Sequence, residues 1–175
     1  MTTTQNAINR KAVEFKGLST VVIGSFLLIS SLLGPSWIQM PANPAAGTPA
    51  ASLSFQDLST ATASSPSSIQ SGYFGPLAWI LFAGLVVLSF ATYISGNRII
   101  AIVTAIIGFI VLVVTLLALK GPSTWAQFID TVPNIRLGGY LMLVGLLTLV
   151  AYAVFKFTIH QPQISTAIDS SDHMN

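Results

Sequence analysis

The side chains that could perform acid–base chemistry or bind a metal lie between and beyond long apolar stretches of the sequence. The two histidines, His160 and His173, are thirteen residues apart in a polar C-terminal segment, a spacing that matches no metal-ligand motif. The sequence contains no cysteine, which excludes disulfides, thiolate nucleophiles and thiolate ligands. We therefore predict no metal site and no cofactor.

Asp130 lies in the segment where groups of mixed chemistry come closest in sequence, between Trp125 and Arg136. One interpretation is a functional site at this cluster. The other, which we favour, has Asp130 facing water and Arg136 anchoring the start of the next apolar stretch. The sequence also lacks G-x-S-x-G, P-loop, G-x-G-x-x-G and H-E-x-x-H motifs, which mark common catalytic and nucleotide sites. We predict that the chain is not an enzyme.

Four apolar stretches must position any functional group of this chain. They are residues 17–38, 73–95, 99–119 and 137–157. The third has 21 residues without a charge, and at about 1.5 Å per residue it matches the roughly 30 Å hydrocarbon core of a bilayer. Only 7% of the chain is charged, against about 25% in soluble domains. We predict an all-α membrane protein with four transmembrane helices in an antiparallel bundle.

The first apolar stretch allows a second interpretation. Arg10, Lys11 and Lys16 precede it, as basic residues precede the apolar run of a signal peptide. The nearest A-x-A sequence, Ala61-Thr62-Ala63, lies far beyond the run. We therefore favour an uncleaved membrane anchor.

The distribution of basic residues predicts how the helices are oriented. One side of the predicted membrane holds segments 1–16, 96–98 and 158–175, and the other holds 39–72 and 120–136. The first side carries five cations, at Arg10, Lys11, Lys16, Arg98 and Lys156, and the second carries Lys120 and Arg136. The positive-inside rule places the more basic side in the cytoplasm. We predict a multi-pass plasma-membrane protein with both termini cytoplasmic.

Residues 39–72 form the longer predicted external segment. They are rich in Pro, Ala, Ser and Thr, and Asp57 is their only charge. Such a composition buries little apolar area, so it predicts a mostly irregular external loop. Leu53, Phe55 and Leu58 could contact either the membrane or the helices.

The shorter external segment, 120–136, contains a helical pattern. Its apolar residues fall at i, i+3, i+4 and i+7, namely Trp125, Phe128, Ile129 and Val132. This spacing predicts a short interfacial helix between the third and fourth spans, capped by Ser123 and ended by Pro133. A connecting loop with chance periodicity is the alternative.

Aromatic residues near the ends of apolar stretches are typical of the membrane–water interface. We place Trp37, Tyr73 and Trp79 at this level. Pro76 is predicted in the first turn of the second span, where a missing N–H costs nothing.

Small residues four apart predict where the helices approach one another, because lipid provides no hydrophobic drive for helix association. In the first span they are Thr20, Gly24, Ser30 and Gly34. In the third span they are Ala101, Thr104, Ala105 and Gly108. The fourth span has small residues without this spacing, at Gly138, Gly139 and Gly145.

The order of these features resembles the small four-span membrane proteins of actinobacteria known as tryptophan-associated, whose role is not established. The resemblance covers most of residues 17–157 and rests on the hydropathy pattern with Trp37, Pro76 and Arg98. It implies a four-span membrane protein and supplies no catalytic residue.

Three functions fit the sequence. The first is a non-catalytic accessory or assembly subunit of a larger membrane complex, with an actinobacterial respiratory complex as one possible host. The second is a small membrane component of a transport system, and the third is an envelope sensor with short cytoplasmic ends. The expected partners are the lipid bilayer and other membrane subunits. The net charge of +2 does not indicate a nucleic-acid partner.

Overall fold

The computed structural model describes residues 2–42, 44–63 and 68–159, without the side chains of residues 2–15, 46, 68 and 159. Both histidines and residues 160–175 of the predicted tail therefore lie outside the described residues.

Within this part of the chain, helices alternate with short connections. The helices are α1 (Thr2–Leu33), α2 (Phe55–Thr62), α3 (Ser68–Gly72), α4 (Ala78–Ser95), α5 (Arg98–Lys120), α6 (Trp125–Thr131) and α7 (Leu137–Ile159). The strands are β1 (Ile38–Met40) and β2 (Ala51–Leu53). Short 3-10 turns occupy Pro44–Ala46 and Val132–Asn134, and a wide helical turn, Tyr73–Leu77, joins α3 to α4.

Among the described residues, four helical stretches are long and apolar enough to cross a membrane, which agrees with the predicted number. They are Lys16–Leu33, Ile69–Ser95, Arg98–Lys120 and Leu137–Thr158. The bounds of the first differ from the prediction, because α1 ends at Leu33 and Ile38 already belongs to β1. Pro35 explains the early end, since it has no N–H to continue a helix and disfavours helical geometry at Gly34.

Pro76 lies inside a helical run rather than in its first turn, so that prediction is wrong. The helix begins at α3, before the proline, and widens through Tyr73–Leu77. There the Ala78 N–H donates to the Tyr73 carbonyl, and Gly75 leaves the helical region at φ −74° and ψ −129°. A proline removes one N–H from the helical ladder, and a wide turn is a usual way for a helix to accommodate it.

Residues 39–72 are not mostly irregular, so this prediction is also wrong. β1 and β2 pair antiparallel, with Ile38 opposite Leu53, and α2 and α3 follow. Phe55 and Leu58 are buried against the long helices, where their apolar area offsets the cost of ordering the chain. The sparse apolar residues of this segment, rather than its average composition, decide its structure.

α5 has small or hydroxyl-bearing residues on its buried face. They recur with alternating spacings of three and four, at Ala101, Thr104, Gly108, Val111, Thr115 and Ala118. Large side chains such as Ile99, Phe109 and Ile110 are more than half exposed. This inverted distribution is typical of a helix whose outer face contacts lipid.

α1 and α7 approach closely enough for their backbones to touch. A Cβ atom built on Gly145 would lie 2.9 Å from the Leu28 nitrogen and 3.0 Å from the Gly24 oxygen. Glycine at 145 is therefore a packing requirement of this helix pair.

Most of the predicted packing residues lie at such contacts. Those that are buried are Gly24, Ala101, Thr104, Gly108, Gly138, Gly139 and Gly145. Thr20, Ser30 and Ala105 are partly buried. Gly34 is a wrong prediction, because it follows the end of α1, is exposed and has nothing within 4 Å of a built Cβ.

Gly145→Ala is expected to lower the free energy of unfolding by about 1–3 kcal/mol, because the added methyl group meets backbone rather than a movable side chain. Gly84→Ala is the matched control, since Gly84 lies inside α4 with open space at its Cβ position. That change is expected to be neutral or stabilising by up to about 1 kcal/mol. Equal stability of the two variants in thermal unfolding, in one detergent, would contradict the α1–α7 contact.

Candidate functional site

The structure brings five of the predicted residues together at one end of the long helices. These residues are Trp37, Tyr73, Trp79, Gly138 and Gly139. Over them lies a folded unit that we call the cap, comprising residues 35–62 with β1, β2 and α2. The end of the helices beneath the cap is the cap end, and the opposite end, at the Gly96–Asn97 turn, is the turn end.

Trp37 is fully buried beneath the cap, and its place at the level of the membrane–water interface stays a prediction. Its indole N–H donates to the Ser31 carbonyl at 2.6 Å, one of the last carbonyls of α1, which have no partner within the helix. Its backbone N–H donates to Leu53 at 2.7 Å and its carbonyl accepts from the Arg136 N–H at 2.8 Å. Trp37 thus connects the end of α1, the hairpin and the start of α7.

Gly138 and Gly139 make room for Trp37. A Cβ built on Gly138 would lie 2.5 Å from both the Pro35 oxygen and the Trp37 Cδ1 atom, and one on Gly139 would lie 3.2 Å from the Trp37 oxygen. The Gly138 N–H also donates to the Ser36 carbonyl at 2.9 Å. Ile38 forms a β-bridge with Ile135 alongside. These glycines therefore hold the cap against α7.

Aromatic rings fill the space between the cap and the helices. The Phe55 ring lies 5.3 Å from Trp37, 5.8 Å from Phe74 and 6.1 Å from Trp79, measured between centroids. Tilted and edge-on ring pairs of this kind add stability beyond the area they bury. Trp79 keeps 44% of its surface exposed, so its outer face is still available to an interface.

Tyr73 contacts α5, and its place at the level of the membrane–water interface stays a prediction. It is fully buried, and its hydroxyl forms a hydrogen bond of 2.7 Å with the Thr115 hydroxyl. One turn earlier, the Gln70 amide donates to the Ala118 carbonyl at 3.1 Å. Because a buried hydroxyl needs a partner, Thr115 draws the Tyr73 ring inward.

The sequence predicted Thr104 as a packing residue but did not predict the hydroxyl pairs of this kind or their members Thr92 and Thr115. Thr92 and Thr104 form a second pair at 2.8 Å between α4 and α5, and the Ser89 hydroxyl donates to the Leu85 carbonyl. The signal was present in α5, because Thr104 and Thr115 share the helical face of Ala101 and Gly108.

α6 begins one residue later than it would with Ser123, the predicted N-cap residue. Thr124, not Ser123, is the N-cap, and it forms a reciprocal capping box with Gln127, which satisfies two backbone donors. No side chain of α6 is buried, and Trp125 and Ile129 are more than half exposed. The helix therefore contributes an open aromatic and aliphatic face next to the cap.

The other predicted members of this region differ in exposure. Phe128 is partly buried and Val132 is exposed. Asp130 and Arg136 are both exposed, which agrees with the interpretation that Asp130 faces water.

Asp57, the carboxylate of the cap, stabilises the start of α2. Asp57 accepts from the Ser54 backbone N–H at 2.9 Å and from its hydroxyl at 2.7 Å. The backbone hydrogen bond, followed by the hydroxyl, holds the pKa of Asp57 below its usual value. The charged carboxylate thus starts α2, and this contribution is lost as the pH falls through the lowered pKa.

The outward side of the cap forms an open groove of about 750 Å³. Its walls are Met40, Pro41, Ala42, Pro44, Thr48, Pro49 and Ala51. The prolines fix φ and lack N–H donors, so this surface offers shape and apolar contact more than hydrogen bonding.

Within the described part of the chain, no three acidic or histidine side chains lie close enough together to hold a metal ion. No protein-family model matches the chain, and no curated protein or solved structure shows significant similarity to it. The resemblance to tryptophan-associated actinobacterial proteins therefore stays a prediction. The exposed groove of the cap and the open face of α6 are suited to binding the surface of another molecule.

Trp37→Phe is expected to lower the free energy of unfolding by about 2–4 kcal/mol. The change removes the indole donor from the buried Ser31 carbonyl and leaves a cavity under the cap. Trp125→Phe is the control, since Trp125 is exposed on α6 and should cost less than about 0.5 kcal/mol. Denaturant unfolding of both variants in one detergent measures the difference, and a Trp37→Phe protein as stable as the control would refute this role.

Proposed function

We propose that the four long helices cross the plasma membrane as an antiparallel bundle with an interfacial helix, α6, between the third and fourth. Contacts at both ends support this arrangement. At the turn end, a Cβ on Gly17 would lie 3.7 Å from both the Tyr152 hydroxyl and the Tyr93 ring. At the cap end, Trp37 lies against Gly138. These contacts support the proposal that α1 and α7 run in opposite directions, as an antiparallel bundle requires.

The proposed orientation has both termini in the cytoplasm and the cap outside. Its support is the charge at the two ends, where Lys16, Arg98 and Lys156 lie at the turn end and Lys120 and Arg136 at the cap end. The N-terminal Arg10 and Lys11 add to the same bias, because cytoplasmic segments carry the excess of Lys and Arg.

Because the chain has no cysteine, single cysteines can report its orientation. Gln56→Cys is expected to react with a membrane-impermeant maleimide on intact cells, whereas Ser95→Cys is expected to react only after lysis. Both positions are exposed, so access to the reagent is matched. Labelling of Ser95→Cys alone on intact cells would show that the orientation is opposite to the proposed one.

We further propose that the protein is a non-catalytic accessory or assembly subunit of a larger membrane complex. The observation that carries this proposal is the cap, which has a groove lined by exposed residues and is held on the helices by Trp37. A surface that is already ordered binds a partner at lower entropic cost than a flexible loop does. An actinobacterial respiratory complex is the host that we propose, as one example of an assembly that recruits small peripheral subunits.

Gentle-detergent affinity purification with mass spectrometry tests this function. The tagged protein is expected to recover stoichiometric membrane-protein partners. Met40→Asp places a charge in the groove, where Met40 is 53% exposed, and should reduce partner recovery at least about tenfold. Gln56→Asp adds the same charge to the exposed face of α2 and should leave recovery unchanged.

Recovery of the protein alone as a small monodisperse particle would overturn the accessory role. Equal recovery of partners with Met40→Asp and Gln56→Asp would instead show that the groove is not part of the binding surface.

A membrane component of a transport system is the alternative. It would require hydroxyl groups that line a polar path. Thr20, Ser31, Ser89, Thr104, Thr115 and Thr148 each donate to a carbonyl of their own helix, whereas the buried Ser25 hydroxyl has no partner among the described residues. These bonds favour a structural use of the hydroxyls, so the accessory role is the better-supported proposal.

A further inference from the structure

The turn end gathers positive charge. Lys16, Arg98 and Lys156 lie there, whereas Asp57 and Asp130, the carboxylates among the described side chains, belong to the cap and to α6. Glu14 precedes Lys16 by two residues, and even with its charge the cations at this end are in excess, which favours an anionic ligand.

Aromatic rings position two of these cations. The Arg98 guanidinium carbon lies 4.9 Å from the centroid of the Phe157 ring, and the Lys156 nitrogen lies 5.9 Å from that of Tyr152. A cation over a ring face is held by the ring quadrupole, and its N–H donors are left to bind an acceptor. Since Lys156 and Phe157 are consecutive, the two cations lie at the same level of α7.

The Tyr152 hydroxyl supplies a second, independent observation. Tyr152 is only 5% exposed, yet within the described structure its hydroxyl has no hydrogen-bond partner. Burying a hydroxyl without a partner costs about 1–3 kcal/mol, so such groups in native proteins usually serve a ligand or water. The hydroxyl lies next to Gly17, where the residue before it, Lys16, is exposed.

We propose that this end of the protein binds the phosphate headgroup of an anionic phospholipid through Arg98, Lys156 and the Tyr152 hydroxyl. Phosphate oxygens accept hydrogen bonds from guanidinium, ammonium and phenol donors alike. Basic pockets between membrane helices at their cytoplasmic ends bind anionic headgroups in this way. Arg98 and Lys156 supply charge, and Tyr152 gives the site a fixed donor.

The surroundings of the site favour a lipid over free phosphate. Ile94, Ile99 and Phe155 lie beside the cations in sequence and are 79%, 69% and 59% exposed. Acyl chains running along these side chains would cover apolar surface while the headgroup meets the cations. A soluble phosphate ion would gain nothing from this apolar surface.

Native mass spectrometry of the full chain in detergent, titrated with phosphatidylglycerol, measures this binding directly. Phosphatidylcholine is the neutral comparison, and inorganic phosphate is the soluble competitor. Arg98→Gln with Lys156→Gln removes two charges from the turn end. Lys120→Gln with Arg136→Gln removes one lysine and one arginine from the cap end and is the matched control.

The Arg98 and Lys156 double variant is expected to bind phosphatidylglycerol about 25-fold more weakly, at about fivefold for each charge. Tyr152→Phe keeps the ring and removes the hydroxyl, and it should weaken binding about fivefold. The cap-end double variant should bind as the unchanged protein does, and phosphatidylcholine should bind more weakly throughout.

Three results would overturn the proposal. Equal losses in the two double variants would show attraction by overall charge and no site. Unchanged binding of phosphatidylglycerol by Tyr152→Phe would show that the buried hydroxyl does not contact the lipid. Displacement of the lipid by millimolar inorganic phosphate would identify the ligand as a soluble anion.

Discussion

The hydrogen bond from the Trp37 indole to the Ser31 carbonyl is the interaction on which the rest of the cap depends. A helix that ends at Leu33 leaves its last carbonyl groups without helical partners, and one donor from a buried ring satisfies one of them. With the ring fixed there, the chain leaves α1 toward α7, and Gly138 accepts it at close range. Phe55 and Phe74 then cover the ring from the other side.

Two kinds of contact hold the long helices together, and neither resembles the core of a soluble domain. Between α1 and α7, Gly24 and Gly145 let the backbones meet, so that dispersion forces act over a short distance. Between α4 and α5, the hydroxyls of Thr92 and Thr104 pair with each other while also using carbonyls of their own helices. The large aliphatic side chains are left for the outer surface.

The sequence predicted correctly those structural features that depend only on composition and spacing along the chain. An uncharged run such as 99–119 has to be a helix wherever water is excluded, because every backbone group needs a partner. Gly145 was also predictable, since small residues mark close helix contacts. Both inferences depend on local composition and need no knowledge of which segments meet.

Three-dimensional neighbours decided the features that sequence reasoning missed. Trp37 has the composition and position of an interfacial aromatic residue, and only the arrival of residues 135–139 makes its site a buried one. Pro76 suits a first helical turn equally well, but Tyr73 and Gln70 bind α5 and extend the helix in front of it. In residues 39–72, Phe55 and Leu58 outweigh the surrounding polar residues because they find rings and helices to cover them.

The contact between Trp37 and Gly138 also orders events during biosynthesis. A chain is made from its N-terminus, so the first tryptophan emerges about a hundred residues before the glycines that receive it. Until α7 has been made, the Trp37 carbonyl lacks the Arg136 N–H and the Trp37 ring lacks the space at Gly138. The cap therefore closes only when α7 is in place. In a chain whose synthesis stops before α7, Trp37 stays exposed to quality-control proteases.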